Sequence, residues 1–125
     1  MKTFKKISKI TLASLALTVT LLLNSIGAQA VTVSATPNST WSKVTISYSN
    51  CYGSTIFYLS GYERHSETGQ YYYYSKNKTF SSSGTISTTF SANTGYKFVS
   101  YYSGKYLTAS IRVNGNSVAS LVVTN

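Results

Sequence analysis

The chain has 125 residues, a formal net charge of +9, 42% hydrophobic residues and only 10% charged ones. That length fits one ordinary domain, and the composition is neither that of an acidic disordered tail nor that of a polybasic arm. Asp is absent, and Glu63, Glu67, His65 and Cys51 are the whole stock of carboxylate, imidazole and thiol side chains. Catalytic relays and metal centres need several such groups converging, so the sequence points away from an enzyme, a cofactor site and a metal site.

Residues 1–30 read as an address. Lys2, Lys5, Lys6 and Lys9 precede an apolar run from Ile10 to about Ile26, and small residues stand at Ala28 and Ala30. This layout predicts a helical secretory signal peptide cleaved after Ala30. A membrane anchor is the rival reading, but the run falls short of the ~20 apolar residues that a span needs. The Lys-rich head resembles the signal peptides of Gram-positive bacteria. The expected product is secreted and extracellular, free or associated with the cell wall. It comprises residues 31–125, with seven of the eleven basic residues against two acids, net +5. A lone Cys51 in an exported chain has no internal disulfide partner. It is a buried small hydrophobe, a free thiol or an intermolecular bridge.

From Val31 onward apolar residues alternate with Ser and Thr, the period of a half-buried strand. Val31, Val33 and Ala35 open the series, Val44, Ile46 and Tyr48 continue it, and Leu107, Ala109, Ile111 and Val113 give the cleanest case. Turn chemistry at Glu67-Thr68-Gly69, Asn93-Thr94-Gly95, Ser103-Gly104 and Asn114-Gly115 separates the runs. The prediction is eight strands, at about 31–36, 43–49, 55–63, 70–76, 84–90, 95–102, 105–113 and 117–124. The domain is therefore expected to be all-β, a single antiparallel β-sandwich.

Three local patterns narrow that expectation. Lys43-Val44-Thr45-Ile46-Ser47-Tyr48 resembles the second strand of a fibronectin type III domain, with Tyr48 where that family has Trp. Phe90-Ser91-Ala92-Asn93-Thr94-Gly95-Tyr96 is similar to the family's tyrosine corner, and Ser120-Leu121-Val122-Val123-Thr124 to its last strand. The resemblance implies an immunoglobulin-like or fibronectin-III-like sandwich in which the Tyr96 hydroxyl bonds upstream backbone. Trp41 lies before the second strand and the corner Pro is missing, so the likeness is one of architecture. A small barrel is the alternative.

Two residue sets stand out as candidate binding surfaces. The first is Tyr71, Tyr72, Tyr73 and Tyr74 with Lys76 and Lys78, and Arg64 across the hairpin. On a strand, alternate members of the tyrosine run point to opposite sides, one pair into the core and the other outward. The second is Lys97, Tyr101, Lys105, Tyr106 and Arg112. Aromatic rings rimmed by cations stack on sugars and attract anions. Anionic or neutral envelope polysaccharide, or a surface protein, is the expected partner; export argues against nucleic acid. A secreted bacteriocin-like antibacterial protein fits the same size, export and charge. Glu63-Arg64-His65-Ser66-Glu67 is expected to be a charged, solvated hairpin end.

Overall fold

The computed structural model describes residues 17–22 and 30–124. Its strands are β1 (Leu17–Leu22), β2 (Ala30–Pro37), β3 (Lys43–Cys51), β4 (Thr55–His65), β5 (Tyr71–Phe80), β6 (Gly84–Ser91), β7 (Tyr96–Phe98), β8 (Tyr101–Tyr102), β9 (Lys105–Tyr106), β10 (Thr108–Val113) and β11 (Asn116–Val122). All the pairings are antiparallel. One sheet has the order β1-β2-β3-β6. The other has the order β11-β10-β4-β5, with β7 also on β4, and β8-β9 form a separate hairpin.

The expected leader helix is not found in the part of residues 1–30 that is described. Leu17–Leu22 is instead a strand, with Leu17 opposite Ala35 and Leu22 opposite Ala30. Thr18, Val19 and Thr20 are β-branched, which favours extended backbone, and pairing with β2 satisfies the peptide groups. The rest of the expected leader lies outside the described residues.

Alternation does the folding work in the remaining chain. Val44, Ile46 and Tyr48 of β3 face inward with Phe90 of β6, and Val31, Val33 and Ala35 of β2 join them. Phe57 and Leu59 of β4, and Ala109, Ile111 and Val113 of β10, close the core from the other sheet. The opposite face of β3 and β6 is hydroxylic: Thr45 pairs with Thr89, and Ser87 donates to Ser47, both at 2.9 Å. Cys51 ends β3; of the three fates open to it, it is a buried small side chain, and its thiol donates to the Tyr48 carbonyl.

Two of the eight expected strands are broken. The segment expected at 95–102 and 105–113 pairs with β4 only through Tyr96–Phe98 and again from Thr108. Between them the chain leaves the sheet, turns at Ser103 (φ 53°) and Gly104 (φ 78°), and returns where Leu107 N–H donates to the Ser100 carbonyl. Gly61 permits the return. A Cβ there would stand 2.8 Å from Leu107 Cδ1 and 3.0 Å from its Cα. Leu107 takes that volume instead and is buried.

Candidate functional site

Residue parity on β4 sorts the candidate side chains. Phe57, Leu59, Gly61 and Glu63 face inward, so Tyr58, Tyr62 and Arg64 face outward. Register then places Tyr73 beside Tyr62, and Tyr71 and Lys97 on either side of Arg64, all on the outer face. Tyr72, Tyr74, Lys76 and Lys78 project on the inner side of β5. The expectation that one tyrosine pair fills the core is not met. Strand β5 is an edge strand that overhangs the core, so even its inner side chains stay partly exposed. Tyr72 and Tyr74 pack edge-on against Tyr96 at 5.9 and 6.2 Å.

Lys76 and Lys78 span the gap to the other sheet. Lys78 Nζ donates to the Thr89 carbonyl at 2.6 Å and Lys76 Nζ to the Ser91 carbonyl at 2.9 Å, both on the open edge of β6. Their ammonium groups also lie over the rings of Phe90 and Phe98. Inward lysines of this kind occupy edge carbonyls that another strand would otherwise pair with.

Glu63 corrects the reading of its segment as a solvated hairpin end. It is 1% exposed. Its Oε1 accepts from the Asn93 backbone N–H at 2.8 Å and from Asn93 Nδ2 at 3.1 Å, while Oε2 pairs with Lys76 Nζ at 3.0 Å. The parity of Phe57 and Leu59 was the signal that could have found it. His65 is tied locally as well, its Nδ1 accepting from the N–H groups of Glu67 and Thr68. No cluster of three potential metal ligands occurs among the described residues.

The corner expected at Tyr96 is built differently. Tyr96 N–H donates to the Asn93 carbonyl, but among the described residues its hydroxyl makes no bond to backbone. Its ring meets His65 edge-on at 4.9 Å. Desolvation, followed by the nearby Tyr74, Tyr72 and Glu63, pushes its phenol pKa up. Glu63, reaching Asn93, fixes the turn that a tyrosine hydroxyl would fix in the family pattern.

The β8–β9 hairpin joins the two candidate sets. Tyr102 and Lys105 are cross-strand partners and point to the same side, down onto the outer face. Tyr102 stacks on Tyr71, centroids 3.7 Å apart and planes within 4°, and meets Tyr62 edge-on at 5.0 Å. Lys105 Nζ lies 5.6 Å from the Tyr73 ring centroid. Tyr101 and Tyr106 form the upper side of the hairpin and are 52% and 56% exposed. Arg64, Lys97 and Lys105 thus share one surface with Tyr73, Tyr101 and Tyr106. Arg112 points from the same sheet face but pairs with Ile56. Six residues of strand separate Ile56 from Tyr62, about 20 Å at ~3.3 Å per residue. Comparison with protein families, with curated proteins and with solved structures found no match.

A concavity of about 360 Å³ opens at the opposite end of the sandwich, between Val31, Tyr48, Tyr52 and Val118. Burial pushes up both the Tyr48 phenol beside it and the Cys51 thiol behind it.

Proposed function

We propose that this is a secreted, non-enzymatic binding protein. In this reading its fibronectin-III-like sandwich holds an anionic, sugar-containing polymer of the cell envelope on the outer face of β4, β5 and the β8–β9 hairpin. The architecture is supported by the strand order, with β1-β2-β3-β6 in one antiparallel sheet and β11-β10-β4-β5 in the other, so that the chain crosses between sheets as in a β-sandwich. One observation carries the function. Arg64, Lys97 and Lys105 surround exposed tyrosine rings on a face with no carboxylate, because Glu63 is turned inward and Glu67 sits in the turn beyond β4. Cations draw the polymer, and the rings offer flat apolar faces with a polar tip to its sugars.

Pull-down on purified wall polymer across an ionic-strength series tests this. The variant Tyr73→Ser/Tyr101→Ser/Tyr106→Ser should stay folded and be retained less at every salt concentration. Retention equal to that of the unsubstituted chain overturns the proposal. Killing of related bacteria on a lawn without polymer binding would favour the antibacterial alternative.

A further inference from the structure

Tyrosine supplies most of the exposed oxidisable side chains of this molecule, with Trp41 partly buried against the core. The chain has twelve Tyr against one Trp, one Met and one Cys. The Cys is buried and the Met is residue 1, whereas Tyr52, Tyr72, Tyr73, Tyr101, Tyr102 and Tyr106 are exposed. We infer that Tyr71 and Tyr102 form an oxidative cross-linking site, joined carbon to carbon as dityrosine by a peroxidase with hydrogen peroxide or another one-electron oxidant.

Geometry singles out this pair. Coupling joins the ring carbons ortho to the two hydroxyls, so the most favourable start is two rings face to face at van der Waals contact. Tyr71 and Tyr102 have that arrangement, at 3.7 Å and 4°. The Tyr62–Tyr73 and Tyr62–Tyr102 contacts are T-shaped at 77° and 74°, which turns the edge of one ring to the face of the other. Tyr101 and Tyr106 are tilted by 54° at 4.7 Å and are the nearest competitors. The chain of contacts Tyr73–Tyr62–Tyr102 also lets an electron vacancy made at the exposed Tyr73 reach the stack.

Each phenol gives up one electron and its hydroxyl proton, leaving a radical with spin on the ortho carbons. The two radicals share their unpaired electrons in a new Cε–Cε bond. Each ring is then a dienone, and the hydrogen on each joined carbon moves as a proton to the ring's carbonyl oxygen, restoring both aromatic phenols. Two electrons and two protons leave the protein and reduce one hydrogen peroxide to two waters. The link fastens the β8–β9 hairpin to β5 and closes a covalent loop from residue 71 to residue 102, which restricts the unfolded chain.

The test oxidises the full chain at high dilution, in one arm with peroxidase and limiting peroxide and in the other with a photo-generated ruthenium(III) complex. The second arm reaches rings that an enzyme cannot approach. Expected are dityrosine fluorescence, a monomer lighter by two hydrogens, and one cross-linked peptide pair containing Tyr71 and Tyr102. Tyr102→Phe keeps the ring contact and should abolish that pair, while Tyr101→Phe should keep it. The inference is overturned if tyrosine is consumed without an internal link. It is equally overturned if links form only between molecules, or if the dominant internal link survives Tyr102→Phe. Polymer binding plays no part in this readout, so it stands or falls apart from the proposed function.

Discussion

Glu63 and Lys76 form an ion pair at 3.0 Å between β4 and β5, with the Glu63 side chain 1% and the Lys76 side chain 20% exposed. The pair spans more than two strands. Glu63 also holds Asn93 in the turn before β7, and Lys76 also holds the Ser91 carbonyl at the end of β6. One carboxylate thus ties the start of the crossover between sheets to the strand that overhangs it. Replacing it with Gln removes the charge that Lys76 faces in a buried site and puts an amide N–H where Oε2 met the ammonium. Lys76 keeps the Ser91 carbonyl, and the amide oxygen can still accept from Asn93. Glu63→Gln should cost about 3 kcal/mol, the low end for breaking a buried pair, because Lys76 keeps some contact with water. Urea unfolding measures this, and a change under 1 kcal/mol would dissolve the argument.

The same network sets the expectation for Tyr96. Its hydroxyl has no backbone partner among the described residues. Its ring meets His65, Tyr72 and Tyr74, and the hydroxyl's one neighbour is the partly exposed Tyr74 side chain, which water can replace. Tyr96→Phe should therefore be neutral within about 0.5 kcal/mol. Asn93→Ala, which removes the Nδ2 bond to Glu63, should cost about 1–2 kcal/mol, since the acceptor is charged. A large loss in the Phe variant, seen by the same unfolding measurement, would restore the tyrosine corner.

Most strands were legible because Ser and Thr alternate with Val, Ile and Phe, and burial of one face follows from that period alone. The break between Phe98 and Leu107 was not legible. Alternation continues on either side of it, and Ser103-Gly104 marks a turn without telling how far the chain departs from β4. The union of the two basic-aromatic sets depends on that departure, so it too was hidden. The roles of Lys76 and Lys78 were within reach. They share parity with Phe80, and an inward lysine on an edge strand is a known means of blocking that edge. Composition, read without parity, made them surface cations instead.

Alkali should destabilise the protein from the Cys51 end of the core. Burial raises the Cys51 thiol above its ordinary 9.0, and desolvation raises the Tyr48 phenol above 10.0. Both groups are neutral when protonated, and both hold their proton more tightly folded than unfolded. Their contribution is complete below the unfolded values and is lost as pH rises through the folded ones, because the unfolded chain ionises first. Unfolding midpoints should fall above about pH 9 and fall further above about pH 10. Cys51→Ala should remove the first part of that decline. Midpoints flat to pH 11 would contradict the assignment.

The cations provide the sharpest separation of structure from binding. Lys76 and Lys78 touch β6 carbonyls, and Arg64 and Lys105 lie on the outer face with exposed rings. Two double variants remove equal charge from a 125-residue chain of net +9, so any global charge effect is the same for both. Lys76→Gln/Lys78→Gln should lose at least about 3 kcal/mol, because it leaves the Glu63 carboxylate buried without its cation; the exposed Lys78 adds little. It should also associate more readily, since it uncovers the β6 edge. Polymer retention per folded molecule should stay near that of the unsubstituted chain. Arg64→Gln/Lys105→Gln should shift stability by no more than about 0.5 kcal/mol, as exposed surface substitutions do. Its polymer retention should fall, most clearly at low salt where screening is weakest. Light scattering, urea unfolding and the pull-down read the three effects separately. If both variants lose retention equally while folded, binding follows net charge, and the outer face of β4 and β5 has no special part in it.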